Sequence, residues 1–334
     1  MSRRKLLLIG AGFTANFGAP LASEMWNWVY GAEVLRGHEE LREKMRLNLD
    51  FERVYFEVTT GNYSDDQKRA MIEAVMGAFR DMDDIVRSSV PYQRANTTAL
   101  DAFLASFAGS RGNRGYIFTL NQDLYLERWY LNGVRPLLPG IQPNAVWRGP
   151  SRRETPLEQN DYIRVPDEVA VREYRERLSQ HDTFVYLKLH GSTNWLRPSE
   201  QPQMVLGAQK RESIDAEPLL RWYMDLFREV LNEQNRLLLI IGYGFRDSHI
   251  NAVIADAIVS TGLKFVVVNP RATQELLQAM RFDHQCGEIL ERGMASHVPY
   301  TLQQIFPPEP RVVLQNVASP GWALLKRDFF DKPD

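Results

Sequence analysis

Five places along the chain join a short apolar run to glycines or polar residues of kinds that can bind a ligand or carry chemistry. The first is Gly10-Ala11-Gly12-Phe13-Thr14-Ala15-Asn16-Phe17-Gly18. Its glycines let the backbone turn sharply and approach a ligand, and free N–H groups at the start of a following helix favour a phosphate. The second is Thr119-Leu120-Asn121-Gln122-Asp123, which places an amide and a carboxylate just past an apolar run. The third, Lys188-Leu189-His190-Gly191-Ser192-Thr193-Asn194-Trp195, supplies an imidazole, which accepts protons near neutral pH. The fourth is Gly242-Tyr243-Gly244-Phe245, followed by Asp247, His249 and Asn251, and the fifth is Asn269-Pro270.

Each also has a purely structural reading. Asn121 and Asp123 suit the capping of a turn or helix. Gly242 and Gly244 suit turns, Asp247 the cap of a helix from Ile250 onward, and His249 a structural or rim position. The pairs Trp26/Trp28 and Trp129/Tyr130 read as core or interface. What favours chemistry is the coincidence of the five. In open parallel sheets, ligands bind beyond the carboxyl ends of the strands. If the five runs are adjacent parallel strands, Asn121, His190, Gly242 and Asn269 converge on one crevice with the Gly10 loop.

The elements that must position them are legible. Leu6–Ile9, Tyr116–Phe118, Phe184–Leu189, Leu237–Ile241 and Phe265–Val268 are apolar and end abruptly in glycine or small polar residues, as buried parallel strands do. Between them, Gln67–Ser88, Leu219–Asn232 and Ile250–Val259 have helical spacing. Alternating strands and helices predict an α/β, Rossmann-like, doubly wound and mostly parallel sheet. Residues 32–101 are charged and amphipathic without a strand pattern, and read as a helical insertion. Pro136–Pro166, rich in Pro, Gly and Arg, reads as a long surface excursion. The expected division is one catalytic module over 1–300, insertion included, and a C-terminal tail over 301–334.

Composition excludes several classes. Of 334 residues, 44% are hydrophobic, which excludes wholesale disorder. The 40 basic and 42 acidic residues nearly cancel, leaving no overall electrostatic footprint for nucleic acid or an anionic membrane. A single cysteine, Cys286, excludes an intrachain disulfide framework and a cysteine-rich zinc module. No apolar run reaches spanning length and no signal peptide is evident, so the expected location is the cytoplasm. The gap of six residues from Gly12 to Gly18 departs from the ordinary dehydrogenase fingerprint, whose third glycine follows the second by three.

In order, these motifs resemble the sirtuin superfamily, in its bacterial sirtuin-like antiviral branch. The sirtuin opening Gly-Ala-Gly-x-Ser, then Gly-Ile-Pro, is similar to Gly10-Ala11-Gly12-Phe13-Thr14, then Gly18-Ala19-Pro20. Thr-Gln-Asn-x-Asp is matched by Thr119-Leu120-Asn121-Gln122-Asp123, and His-Gly-Ser by His190-Gly191-Ser192. The family's Gly-Thr-Ser turn is replaced by Gly242-Tyr243-Gly244, and its later strand-plus-Asn by Val268-Asn269. Deacylating members carry a four-cysteine zinc module and an Asp-Phe-Arg, where this chain has Leu21-Ala22-Ser23. The runs 188–195 and 242–251 look instead like the bacterial defence proteins that deplete NAD during phage infection.

The resemblance implies hydrolysis of the nicotinamide–ribose bond of NAD, with NAD as substrate and no metal. Asn121 and His190 are the expected catalytic residues. Gly10, Ala11, Gly12, Phe13, Thr14, Asn16, Asp123, Gly191, Ser192, Gly242, Tyr243, Gly244 and Asn269 are the expected contacts to NAD. The alternatives are an NAD-dependent protein deacylase and a non-catalytic NAD- or nucleotide-sensing module that gates a partner. A hydrolase of this kind must be held in check, so the expected partners are further copies of the chain and a regulatory subunit, a HerA-like ATPase or a short Argonaute, with no direct nucleic-acid or membrane contact.

Overall fold

The computed structural model describes residues 4–88, 93–178, 182–198, 200, 202–207, 209–309 and 312–331. Its strands are β1 (Arg4–Ile9), β2 (Gly115–Thr119), β3 (Ile163–Arg164), β4 (Phe184–Lys188), β5 (Gly191–Leu196), β6 (Pro202–Met204), β7 (Arg236–Ile241), β8 (Lys264–Val268) and β9 (Met294–Val298). Six of them form one parallel sheet in the order β4-β2-β1-β7-β8-β9. Chain order runs outward from β1 to one edge and then from β7 to the other. Right-handed crossovers therefore place the two sets of connections on opposite faces, with the switch point between β1 and β7. The expected doubly wound α/β fold is the observed one.

The five apolar runs are the five inner and left-hand strands of this sheet. They are buried because both faces are covered; Leu6, Leu7, Leu8, Leu238, Leu239 and Ile240 have no exposed surface. Their register matters most for function. Lys188 pairs with Thr119, Thr119 with Ile9, Ile9 with Ile241, and Ile241 with Val268. These residues form one row across the sheet, so whatever follows each strand leaves at the same edge. The sixth strand, β9, has no counterpart among the expected strands. It lies at the sheet edge and is mostly half-exposed, so Met-Ala-Ser-His-Val carries no continuous apolar run.

The helical spacings are realised as Asp65–Arg87, Pro218–Leu231 and Ser248–Thr261. Ser64 and Gln67 close a capping box at the start of the first. Gly262, in the left-handed conformation at φ 70°, ends the last. The stretch 32–101 contains the helices Glu39–Leu47, Phe51–Thr60, Asp65–Arg87 and Thr97–Ala105 and no strand among the described residues. A buried ion pair clamps the longest of these to the rest. Arg128, with no exposed surface, donates from Nε and Nη2 to both oxygens of Asp83 at 2.9 and 2.6 Å.

Pro136–Pro166 is only in part the surface excursion its composition suggests: residues 150–160 are mostly exposed, but other parts pack inward. Leu138, Ile141, Val146, Trp147 and Val165 belong to the core, and Arg148 meets Asp161 in a buried ion pair. Arginine is hydrophilic in composition, but buried here with carboxylate and carbonyl partners it acts as structural glue. The segment after Tyr300 also packs inward, where Phe306 and Trp322 contact the Phe103 ring. No described helix is long and apolar enough to cross a membrane.

Candidate functional site

At the β1 end, the chain turns from Ile9 straight into the helix Ala11–Ala15. The Gly10–Gly12 backbone lies directly on Gly242, the first residue after β7. Gly12 N–H donates to the Gly242 carbonyl at 2.8 Å, and a Cβ on Gly12 would lie 2.8 Å from Gly242 Cα. Gly242 itself has φ 67°, and its missing side chain would overlap Gly12 and Phe13. These glycines thus bring two strand ends together at the switch point, and the Gly12 N–H is spent on that contact. Ala11 is exposed beside it, and the Cβ position of Gly244 faces open space.

The other sequence-expected residues fall into two groups. Asn121, after β2, donates Nδ2 to the Gly10 carbonyl and to Thr14 Oγ1, both at 3.2 Å. Its Oδ1 accepts no bond from the described residues. Asp123 takes the Tyr125 N–H at 2.9 Å, and burial pushes its carboxyl upward against the opposing pull of Lys188. Lys188, fully buried, donates to the Asp123 carbonyl at 2.5 Å and to Glu127 at 2.8 Å, which pins the Asn121–Asp123 loop from below. Thr14, Asn121 and Asp123 therefore stand together with the glycine turn.

The second group serves the scaffold. Asn16 gives its amide N–H to Gly12 and Phe13 carbonyls, while its Oδ1 receives Leu302 N–H at 2.9 Å. Phe13 packs in the aromatic core against Tyr125. Gly191 has φ 76° and lies where any Cβ would strike the Gln203 carbonyl of β6. Ser192 is fully buried and donates to Asn194 at 3.0 Å. Tyr243 turns inward, its hydroxyl donating to Asn251 at 2.9 Å. Asn269 Oδ1 accepts the Arg271 N–H at 3.1 Å, and its carbonyl receives His297 Nε2 at 2.8 Å.

His190 sits where the chain leaves β4 for β5, between the central sheet and a small sheet of order β3-β5-β6. It lies next to the Asn121 strand end, since Leu189 N–H donates to the Thr119 carbonyl and the Leu120 carbonyl faces the imidazole. The expectation of an open crevice at this residue is corrected: only 2% of His190 is exposed. Its Nε2 meets Nε2 of His249 at 2.9 Å. Burial pushes His190 down to about 3 and His249 to about 4, so both rings are neutral at physiological pH.

His249 is thus more than the rim residue its position suggested. Asp247 is likewise at the N-cap of Ser248–Thr261, but its side chain makes no capping bond. It is turned to Lys210, whose Nζ lies 2.8 Å from Asp247 Oδ1 and 2.7 Å from Glu52 of the helical insertion. Burial opposes ionisation of Asp247, but Lys210 and then His190 hold its carboxyl down at about 2. Burial likewise opposes the charge on Lys210, but Glu52 and Asp247 keep it above the usual lysine range. His190, His249, Asp247, Lys210 and Glu52 form one continuous polar chain. A D-x-H spacing after a glycine turn was the one sequence signal of it. A separate cleft of about 450 Å³ lies between Asn96, Tyr300, Glu309 and Pro320 and contains none of these residues.

The arrangement offers an amide oxygen and an imidazole on neighbouring strand ends, beside a glycine turn at the switch point. Groups of these kinds can hold hydroxyls, a water or a phosphate. A family model described as SIR2-like domain matches residues 115–286, from β2 to beyond β8, and so contains Asn121, His190, Asp247 and His249. No curated protein matches the chain.

Proposed function

Because the chain belongs to the SIR2-like domain family, whose members bind NAD and often consume it, we propose that it hydrolyses NAD at the nicotinamide–ribose bond. The observation that carries this reading is the union of Asn121 with the glycine turn, one strand away from His190. In this reading Ala11, Thr14 and Gly244 bound the phosphate end, and the unpaired Asn121 Oδ1 faces the ribose.

Nicotinamide leaves with the electron pair of the C–N bond, because its ring nitrogen is cationic while attached. Asn121 Oδ1 directs a water to the anomeric carbon and lies close to the positive charge that develops there. As the water oxygen bonds that carbon, its proton becomes strongly acidic, so even a weakly basic imidazole can take it. His190 Nε2 receives that proton, and the products are nicotinamide, ADP-ribose and one proton. His249 covers Nε2 at rest and must give way first. A covered base suits a hydrolase that has to be restrained until triggered. NAD depletion in antiviral defence, self-assembly and a regulatory subunit are parts of this proposal.

Incubating the purified chain with NAD and no acylated peptide tests it: free nicotinamide and ADP-ribose are expected in equal amounts. Product formation only with an acyl-lysine peptide would move the assignment to a deacylase, which the single cysteine already disfavours. The near-complete burial of His190 favours a second reading, a sensor that binds NAD without turnover. NAD binding with no nicotinamide release, with and without candidate partner subunits, would establish that alternative.

A further inference from the structure

Two neutral imidazoles that meet nitrogen to nitrogen can share only one N–H between them. The two Nε2 atoms of His190 and His249 lie 2.9 Å apart, so one carries that N–H and the other a lone pair. The Leu120 carbonyl faces the His190 ring, and a backbone carbonyl beside the ring is a usual support of a metal-ligating histidine. The donor atoms of His190, His249 and Asp247 all lie within 4.8 Å of one another. We propose that His190 Nε2, His249 Nε2 and the Asp247 carboxylate form a binding site for a divalent transition cation of the zinc type.

The chemistry of the donor set selects the ion. Two imidazoles and one carboxylate suit zinc, cobalt or nickel, whereas magnesium and calcium require oxygen donors. Zinc–nitrogen bonds of about 2.0–2.1 Å in tetrahedral geometry place two nitrogens about 3.3 Å apart. The observed 2.9 Å between the two Nε2 atoms has to open by only a few tenths of an ångström. No net proton release is needed at neutral pH, because both rings are neutral and Asp247 is ionised; the N–H held between the two Nε2 atoms only has to move to an Nδ1. Lys210 holds Asp247 Oδ1 and is itself neutralised by Glu52, so it orients the carboxylate and leaves the second oxygen to the ion.

The consequence for activity rests on the hydrolase reading. Nε2 of His190 is the atom that takes the substrate proton, so a bound ion and hydrolysis exclude each other and the ion silences the enzyme. This departs from the metal-free expectation drawn from the sequence. The ion is a brake, with no part in the chemical step.

The test uses the full chain after treatment with a chelator, with cobalt and zinc as probes. Cobalt is expected to produce a visible absorption band saturating at one ion per chain, and zinc to displace it. His249→Gln and Asp247→Asn should abolish the band. Lys210→Met, outside the ligand shell, should weaken binding by about 10–100-fold, and His297→Gln, outside the cluster, should leave it unchanged. Thermal melts confirm that each variant is folded. Absence of a stoichiometric band, or its survival in His249→Gln, overturns the site. In parallel, zinc should suppress nicotinamide release by the parent; stimulation overturns the brake. A histidine-dependent band in a chain that never releases nicotinamide keeps the metal site and removes the hydrolase reading.

Discussion

In the proposed hydrolase Asn121 has two duties, tying the glycine turn and holding the water, and truncating it separates them. Asn121→Ala removes two hydrogen bonds of 3.2 Å, to the Gly10 carbonyl and to Thr14. At about 0.5–1.5 kcal/mol each, their loss costs about 1–3 kcal/mol of stability. A domain of ordinary stability, about 5–15 kcal/mol, survives that and stays almost wholly folded. Any large fall in rate must then come from the missing Oδ1 at the ribose. A lost electrostatic contact in the transition state is worth about 100-fold, or about 2.7 kcal/mol. Urea denaturation gives the first quantity and steady-state nicotinamide release gives the second, with kcat falling and KM changing much less. Asn121→Asp sharpens the contrast: it keeps the shape but points an oxygen at the Gly10 carbonyl, so it should destabilise at least as much as alanine. If Asn121→Ala lost the expected stability yet kept kcat within about threefold of the parent, the residue would be a loop tie only and the catalytic reasoning would be refuted.

Three further outcomes follow from the same geometry. Gly242→Ala has to hold a side chain at φ 67°, which alone costs about 1–2 kcal/mol, and it also collides with Phe13 backbone. Gly244→Ala meets open space and should shift the melting curve by no more than about 0.5 kcal/mol, so equal melts for the two would sink the strand-end packing argument. Asp83→Ala leaves the Arg128 guanidinium buried without its carboxylate, an expected loss of about 3–5 kcal/mol by chemical denaturation; a loss under about 1 kcal/mol would show that the insertion is not clamped there. Burial would raise the Asp161 carboxyl, but the Glu158 N–H and then Arg148 and Arg152 bring it below the ordinary range. A depressed carboxyl stabilises the fold above its unfolded pKa of about 3.9 and loses that contribution as the pH falls through the folded value. The stability gap between the parent and Asp161→Asn should therefore be widest near pH 7 and close in acid, and a gap independent of pH would contradict it.

Much of the fold was legible because it is written locally. A buried parallel strand needs a run of apolar residues on both faces and a breaker at its end, and Leu6–Ile9 and Leu237–Ile241 announce both. The same rule brought the candidate residues to one edge, since the register puts Asn121, His190 and Gly242 just past one row of paired residues. β9 escaped because an exposed edge strand needs no such run. Pro136–Pro166 was misread in part, because Arg148 looks solvent-loving until Asp161 and backbone carbonyls are brought to it.

The amino-acid sequence by itself determined the alternation of strand and helix, the parallel sheet and the identity of the chemical groups at its carboxyl edge. Only tertiary structure decided what those groups touch. His190 meets His249 across 59 positions, and Lys210 meets Glu52 of a helix far away in the chain. Hydropathy patterns record which side of an element faces the core, whereas a contact between two side chains depends on how whole elements stack. That stacking covered an imidazole expected to stand open, and turned the carboxylate of a helix-capping residue to Lys210.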